Sequence, residues 1–216
     1  MGILKRIINL LLPNRETQKT QPIDETVAEY IGDVGERLTY KTLMKLCYQK
    51  SIFRNLYIKM QSNNYTEIDL IMTTSYGLFV IESKNLSGNI YGDNKYEQWI
   101  QYLRREKYMF YNPVRQNSNH IKHLKHILSD FPDLKYFSVI VFSERCNLNV
   151  NEIADENIIV IQRNQLYYEI IRLIENSDTY IDAETLSKVN NRLKSSTKTE
   201  EKRKQHLEYI NTIVRY

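Results

Sequence analysis

The sequence predicts an α/β protein in which helices pack against a mixed β-sheet. Along its 216 residues the predicted elements follow the order helix, three strands, helix, strand, strand and helix. The continuous apolar run Tyr136–Phe142 indicates a strand that is buried on both faces, and two earlier runs joined by a Gly-containing turn indicate an antiparallel hairpin. Helical and extended segments in this order are typical of a sheet covered by helices.

The composition excludes several classes of protein. Cys47 and Cys146 are the only cysteines and form no CxxC pair, so neither a disulfide scaffold nor a cysteine-based zinc ribbon is expected, and a reducing compartment is predicted. None of the six glycines lies in a P-loop or dinucleotide-binding motif. The balance of 30 Lys and Arg against 26 Asp and Glu permits a polyanionic partner without requiring one.

The first 23 residues are predicted to form a short amphipathic segment followed by a polar linker. Lys5 and Arg6 precede an apolar run that Pro13 ends. This run is too short for a signal peptide, and a spanning helix needs about 20 apolar residues. Two interpretations remain open, a short docked or frayed helix and a weak contact of residues 3–12 with a membrane surface.

The first helix is predicted over residues 24–49. Its apolar residues recur at helical spacing and are predicted to face the core: Val27, Ile31, Val34 and Leu38. Glu36 lies opposite this stripe but within about 20° of Leu43 and Cys47 around the helix axis. A solvated glutamate is therefore the default interpretation at this position.

Extended segments follow the first helix. They are predicted as strands over Ile52–Met60, Glu67–Thr73 and Leu78–Lys84, with a further short strand over Gly88–Gly92. Because only residues 74–77, which include a glycine, separate the second run from the third, these two strands are predicted to form a β-hairpin.

The second half of the chain begins with a helix over Pro113–Ser129, since a proline in the first turn and Phe131-Pro132 after the end are typical of helix boundaries. Strands are predicted over Tyr136–Phe142 and Ile158–Ile161. A helix over Gln165–Glu175 follows, with Asn164 as its cap. The remaining residues are predicted to be polar and helical.

The predicted hairpin carries the candidate site. Glu82 lies 13 residues after Asp69 on the neighbouring strand, and Glu82 and Lys84 project from the same face. Asp69 and Glu82 can therefore lie side by side, and paired carboxylates suit Mg²⁺ or Mn²⁺. A nearby lysine could hold a water or stabilise charge on a phosphate. The alternative is an ordinary exposed ion pair between Glu82 and Lys84 at the strand end.

These motifs resemble a known family. The spacing D-x(12)-E-x-K on a β-hairpin is the signature of the PD-(D/E)xK restriction-endonuclease-like superfamily. More narrowly, five segments resemble, in order, those of the nuclease-related domain called NERD: Gly32–Glu36, Glu67–Asp69, Gly77–Asn85, Gly88 and Asn112–Gln116. The resemblance covers about residues 31–141. It implies a restriction-endonuclease-like αβββαβ core, with a mixed sheet flanked by helices.

The sequence pattern and the resemblance together predict three parts of the chain: an N-terminal segment at residues 1–23, a nuclease-related domain at residues 24–177 and a C-terminal helical extension at residues 178–216. The resemblance also implies a metal site. Within the domain, the implied ligands of Mg²⁺ or Mn²⁺ are Asp69 and Glu82, with the Ser83 backbone carbonyl as an additional ligand. Glu36 corresponds to the acidic residue of the first helix that supports the metal or its water.

Lys84 corresponds to the catalytic lysine of the superfamily. Gln116 corresponds to a helix glutamine that organises the site or touches the substrate. Ile68 stands where the proline of the superfamily name would be. The implied function is metal-dependent hydrolysis of nucleic-acid phosphodiesters, of DNA in preference to RNA, in the cytoplasm. The alternative is a non-catalytic nucleic-acid-binding module on the same fold.

A basic and aromatic segment follows the hairpin. Residues 94–126 contain seven Lys or Arg against two Glu, interleaved with aromatic residues that suit phosphate contact and base stacking. The candidate substrate-binding residues are Arg104, Arg105, Lys107, Arg115, His120 and Lys122. His120, His123 and His126 fan over about 120° of a helix, so an exposed polar face or a phosphate contact is favoured over a zinc site. The basic tail at residues 188–204 is equally well explained by a solvated helix.

Overall fold

Two β-sheets and five helices make up the part of the chain described by the structure, a computed structural model that describes residues 25–60, 62–197 and 199–213. The helices are α1 (Glu25–Met44), α2 (Pro113–Ile127), α3 (Leu166–Glu175), α4 (Ala183–Lys194) and α5 (Glu200–Ile213). The strands are β1 (Lys50–Lys59), β2 (Tyr65–Thr74), β3 (Gly77–Lys84), β4 (Gly88–Gly92), β5 (Gln98–Leu103), β6 (Glu106–Tyr111), β7 (Tyr136–Phe142), β8 (Cys146–Val150) and β9 (Ile158–Gln162).

The predicted N-terminal segment, including residues 3–12, lies outside the described residues. None of the described helices combines the length and apolar character needed to cross a membrane.

The main sheet has the strand order β1-β2-β3-β7-β9. The pairs β1–β2 and β2–β3 are antiparallel, whereas β3–β7 and β7–β9 are parallel, so the sheet is mixed. Leu43 of α1 and Leu166 of α3 pack on one face, and Leu124 of α2 packs on the other. The predicted fold class is confirmed, because α1, β1–β3, α2 and β7 form the αβββαβ core.

A second sheet, of order β6-β5-β4-β8, is inserted into this core. Only β4 was predicted from the sequence. The inner face of this sheet buries Ile90 and Trp99 against Phe142 of β7 and Val114 of α2. It therefore extends the fold beyond the end of β3, where the candidate site lies.

The buried face of α1 differs from the predicted stripe. Leu38 is 43% exposed, whereas Gly35, Thr39 and Leu43 are buried. The reason is a close approach of α1 to the end of β3. A Cβ at Gly35 would lie 2.8 Å from the Cβ of Asn85, and the Thr39 hydroxyl lies 3.3 Å from the Ser83 hydroxyl. The side chains of Val27 and Ile31 lie outside the described part.

The start of α2 follows the sequence prediction, because Pro113 occupies its first turn and the Asn112 side chain accepts a hydrogen bond from the Val114 amide at 2.9 Å. This cap orients the turn that carries Gln116.

The predicted cap of α3 is wrong. Asn164 lies inside a short 3₁₀ turn at residues 163–165, and α3 begins after it without a side-chain cap.

Candidate active site

The β2–β3 hairpin brings the two predicted acidic residues together. The ladder between β2 and β3 ends at the pair Leu70 and Ile81, and Asp69 and Glu82 are the next residue on each strand. Asp69 is held by its Oδ2 atom, which accepts a hydrogen bond from the Ser83 backbone amide at 2.8 Å. The two carboxylates therefore sit on adjacent strands of one sheet, at the end of β3.

Lys84 links Glu82 to helix α2. Its Nζ atom lies 2.7 Å from Glu82 Oε1 and donates a hydrogen bond to Gln116 Oε1 at 3.0 Å. The Glu82 side chain is 3% exposed and the Lys84 side chain 23% exposed. The alternative of an ordinary exposed ion pair is wrong, because the glutamate is buried and only the lysine reaches solvent.

His120 lies beside Glu82, on the side away from Lys84. Its Nε2 atom lies 3.4 Å from Glu82 Oε2, and its Nδ1 atom lies 3.1 Å from the Thr66 hydroxyl. The exposed position predicted for His120 is wrong, since the residue is 5% exposed. The second turn of α2 packs directly over β2 and β3, and this packing turns His120 inward.

Glu36 approaches the same site from α1. Its Oε2 atom accepts a hydrogen bond from Asn55 Nδ2 at 2.9 Å, and Asn55 also donates to Glu67 Oε1 at 3.3 Å. Asn55 has a positive φ of 50° within β1, a conformation that asparagine tolerates better than most residues. Glu36 is therefore partly buried and fixed, rather than solvated on an outer face.

Burial and neighbouring charges shift the pKa of each acidic residue. Burial, followed by the negative charges of Glu82 and Glu36, raises the pKa of Asp69 well above its usual value. Burial acts in the same direction on Glu82, but the ammonium of Lys84 and the approach of His120 outweigh it and lower the pKa of Glu82 to about 2. Burial also raises the pKa of Glu36 to about 7, against the hydrogen bond from Asn55.

The pKa of Lys84 is raised. Burial alone would lower it, but the carboxylates of Glu82 and Asp69 more than compensate. Lys84 therefore keeps its proton at neutral pH. At neutral pH Glu82 is therefore ionised beside the Lys84 ammonium, whereas the raised pKa values of Asp69 and Glu36 favour their protonation relative to ordinary carboxyl groups.

The part of the chain that carries these residues matches a known protein family. The family model described as the nuclease-related domain, NERD, matches residues 31–143, just over half of the chain. The chain belongs to the NERD family. Glu36, Asp69, Glu82, Lys84 and Gln116 all lie within the matched segment.

One curated relative extends the similarity beyond the NERD segment. It is a protein of Bacillus anthracis described as uncharacterized, and it is 27% identical over 197 residues, which cover 88% of this chain and 90% of that protein. The aligned length exceeds the NERD segment, so the two proteins are also similar outside residues 31–143.

The residues of the NERD motifs fit a divalent ion in part. Among the residues that the structure describes, no group of three or more His, Cys, Asp or Glu is arranged to hold a metal ion. Asp69 and Glu82 nevertheless supply two adjacent carboxylates, and Glu82 Oε2 is buried without a hydrogen-bond partner among the described residues. Mg²⁺ commonly takes one or two carboxylates and completes its shell with waters and substrate phosphates. This donor set therefore suits Mg²⁺ or Mn²⁺.

The basic candidates do not form one cluster. Arg104, Arg105 and Lys107 lie exposed at the β5–β6 turn of the second sheet, and Lys122 is exposed on α2. Arg115 instead donates to backbone carbonyl oxygens of residues 94 and 95, at 3.4 and 2.8 Å, and so ties α2 to the loop before β5. The exposed basic candidates therefore lie at two separate places, the β5–β6 turn and helix α2, both inside the matched segment.

Sequence reasoning missed three residues that support the site. Thr66 contacts His120, Asn55 contacts Glu36, and Thr39 contacts Ser83. Of these three residues, only Asn55 could be singled out from the sequence. Asparagine is rare in strands and tolerates a positive φ, so an asparagine inside a predicted strand indicates an unusual backbone conformation. Thr39 and Thr66 carry no such signal, because their partners come from distant parts of the chain.

Proposed function

We propose that this NERD protein is a metal-dependent nuclease that hydrolyses phosphodiester bonds of nucleic acid, with DNA as the main substrate. One observation carries the proposal. Asp69 and Glu82 lie on adjacent strands, and Lys84 stands between Glu82 and Gln116 at the open end of the same strand. The free thiols of Cys47 and Cys146 support a cytoplasmic location.

In the proposed reaction, Asp69 and Glu82 would hold Mg²⁺ or Mn²⁺, and the Ser83 carbonyl would be an additional ligand. When bound, the ion supplies Lewis-acid stabilisation of the negative charge that develops on the phosphate. Water attacks the phosphorus atom, its proton passes to a base, the bond to one ester oxygen breaks, and that departing oxygen takes a proton from solvent.

The protein's own groups divide the remaining work. The protonated ammonium of Lys84, held by Gln116, stabilises charge on the phosphate, because its raised pKa keeps it charged. Glu36 is a better base than the protonated Lys84, since a pKa of about 7 suits proton transfer at neutral pH. The hydrogen bond from Asn55 keeps its carboxylate oriented.

The direct test is a cleavage assay with the full chain. End-labelled single-stranded, duplex and branched DNA are incubated with Mg²⁺, with Mn²⁺ or with EDTA. Metal-dependent shortening of at least one substrate is expected, and it should be lost in Asp69→Ala and Lys84→Ala protein prepared identically. Intact substrates throughout, or variants that cut as fast as the wild type, would overturn the proposal. Salt-sensitive binding without cutting would instead identify a binding module.

The pH dependence of cleavage tests the role of Glu36. A base acts only when deprotonated, so the rate is expected to rise with pH through about 7 and then level off. Glu36→Gln should lower the rate about 10²- to 10⁴-fold and remove this rise. Single-turnover rates measured between pH 5.5 and 8.5, roughly one and a half units either side of that pKa, give the profile. A Glu36→Gln profile parallel to that of the wild type would contradict the assignment.

His120 is expected to act through Glu82. His120→Gln removes a buried ring beside Glu82 Oε2, and loss of such an orienting partner typically costs about 10- to 100-fold in metal affinity or activity. The measurement is Mn²⁺ binding by calorimetry, alongside the cleavage rate. His126→Gln, an exposed histidine of the same helix, is the matched control and should bind Mn²⁺ as the wild type does. Equal affinities in all three proteins would exclude this role.

A further inference from the structure

The outer face of the second sheet carries three exposed tyrosines. Tyr91 of β4, Tyr102 of β5 and Tyr111 of β6 are 47%, 39% and 42% exposed. The residue before each of them points inward, toward the core beneath this sheet. Strand alternation therefore places all three rings on the same side, a surface named here the tyrosine face.

Two rings of the tyrosine face contact each other and remain partly exposed. Tyr91 and Tyr102 meet edge to face, with ring centroids 5.7 Å apart and planes at 88°. In such a pair one ring presents its edge and the other its face. Unpaired nucleic-acid bases stack on exposed aromatic rings of this kind.

Positive charge borders these rings. Lys107 pairs directly across from Tyr102 in the β5–β6 ladder, and Arg104 and Arg105 form the turn between the two strands. All three are exposed, and Glu106 is the only acidic residue between positions 103 and 107. Aromatic rings beside a basic rim match a polynucleotide strand, whose bases are flat and whose phosphates are negative.

The tyrosine face begins shortly after the end of β3, where the candidate active site lies. Gly88, at the start of β4, follows Lys84 by four residues and has a φ of +80°. A Cβ at this position would overlap the carbonyl oxygen of Tyr102, so the two backbones touch. Gln101 also donates a hydrogen bond to the Ser87 carbonyl at 2.7 Å. These contacts fix the tyrosine face and its basic turn against the segment that leaves the candidate active site.

We propose that the tyrosine face and the adjacent basic turn bind a single-stranded nucleic acid, with bases stacked on Tyr102 and Tyr91 and phosphates beside Lys107 and the two arginines. The proposal rests on the proposed function for the nature of the substrate, and it adds a preference for unpaired over paired strands. Bases in a duplex already stack on one another and cannot stack on a protein ring as well.

The test measures binding without cleavage, so it does not depend on hydrolysis. Full-length protein in EDTA is titrated into a fluorescein-labelled single strand of about 20 nucleotides and into the same sequence as a duplex. This length exceeds the site sizes of about 4–16 nucleotides that are typical of single-strand-binding OB folds. Tyr102→Ala and Tyr91→Ala remove a stacking ring, whereas Tyr102→Phe retains it. Tyr168→Ala is the matched control, because Tyr168 is 73% exposed on α3, outside the second sheet.

The wild type should bind the single strand more tightly than the duplex. Each Tyr→Ala change on the tyrosine face should weaken single-strand binding about 5- to 100-fold, with Tyr102→Phe and Tyr168→Ala within twofold of the wild type. Lys107→Ala should flatten the dependence of log affinity on log salt by about 0.7. Far-UV circular dichroism verifies that each variant is folded.

The outcomes separate this proposal from the proposed function. If the wild type cleaves DNA in an Asp69-dependent way but both Tyr→Ala variants bind as the wild type does, the tyrosine face is excluded and the nuclease stands. If those variants lose single-strand binding while no substrate is ever cut, the binding role of the tyrosine face is supported and the proposed hydrolysis is rejected. A duplex preference, or a protein dimer that Tyr102→Ala dissociates in sedimentation, would also overturn the proposal.

Discussion

Asp69→Asn is expected to abolish cleavage and to make the metal-free protein more stable. Asparagine has nearly the same shape, and its amide oxygen can still accept the hydrogen bond that Asp69 Oδ2 takes from the Ser83 amide. The variant loses a negative charge that burial and the neighbouring carboxylates of Glu82 and Glu36 disfavour. It also loses half of the proposed carboxylate pair, which should lower the cleavage rate by more than about 10³-fold.

The sign of the pH dependence follows from the raised pKa of Asp69. The folded protein holds the Asp69 proton more tightly than the unfolded chain, so this group favours folding at low pH and loses that contribution as pH rises through its folded pKa. Urea unfolding in EDTA should therefore give similar stabilities for wild type and variant near pH 4, and a more stable variant at pH 8.

Mg²⁺ provides an independent readout for the same variant. An ion that binds only the folded state raises the melting temperature of the wild type with concentration. Asp69→Asn should lose most of that rise. A variant that is less stable than the wild type in EDTA at pH 8, or equally stabilised by Mg²⁺, would contradict the role given to Asp69.

The hairpin could be predicted because its signals are local. Gly77 marks the turn, and the apolar run that follows fixes which residues face inward, so the alignment of Asp69 with Glu82 follows from strand alternation alone. The D-x(12)-E-x-K spacing typical of the superfamily lies on the same two strands. This part of the site depends on contacts between neighbours in sequence.

The rest of the site depends on contacts between distant segments. Strands β5 and β6 were missed because the turn between them has no glycine, Arg104 itself taking a positive φ of 58°, and because Gln101 is a buried polar residue within β5. The inward position of His120 depends on packing against Thr66 and Glu82. Helical periodicity alone misplaced the buried face of α1, since Gly35 and Thr39 are not apolar yet pack closely against β3.

Lys84→Met is expected to have the opposite effect on stability from Asp69→Asn, although both change the same site. Methionine keeps the apolar stem of the lysine but removes the ammonium that lies 2.7 Å from Glu82 Oε1. The buried glutamate then lacks its main counter-charge, and breaking a buried pair in this way costs about 3–5 kcal/mol. Because Lys84 is partly exposed, a loss of about 2–4 kcal/mol in unfolding free energy is expected.

The pH dependence identifies the source of this loss. The wild-type pair lowers the pKa of Glu82 to about 2, so its contribution is present above the unfolded value of 4.5 and disappears as pH falls through about 2. Lys84→Met should therefore be much less stable than the wild type at pH 7 and nearly equal to it in strong acid.

A second substitution separates charge from packing. In Glu82→Gln/Lys84→Met the uncompensated carboxylate is gone, so most of the lost stability should return while the double variant stays inactive. Urea unfolding of the four proteins in the cycle, with EDTA present, gives the coupling energy directly. A coupling below about 1 kcal/mol, the range of exposed pairs, would mean that Glu82 and Lys84 interact through solvent. If Lys84→Met costs the same stability whether residue 82 is Glu or Gln, the coupling is near zero and Lys84 supports the fold through Gln116 instead of through Glu82.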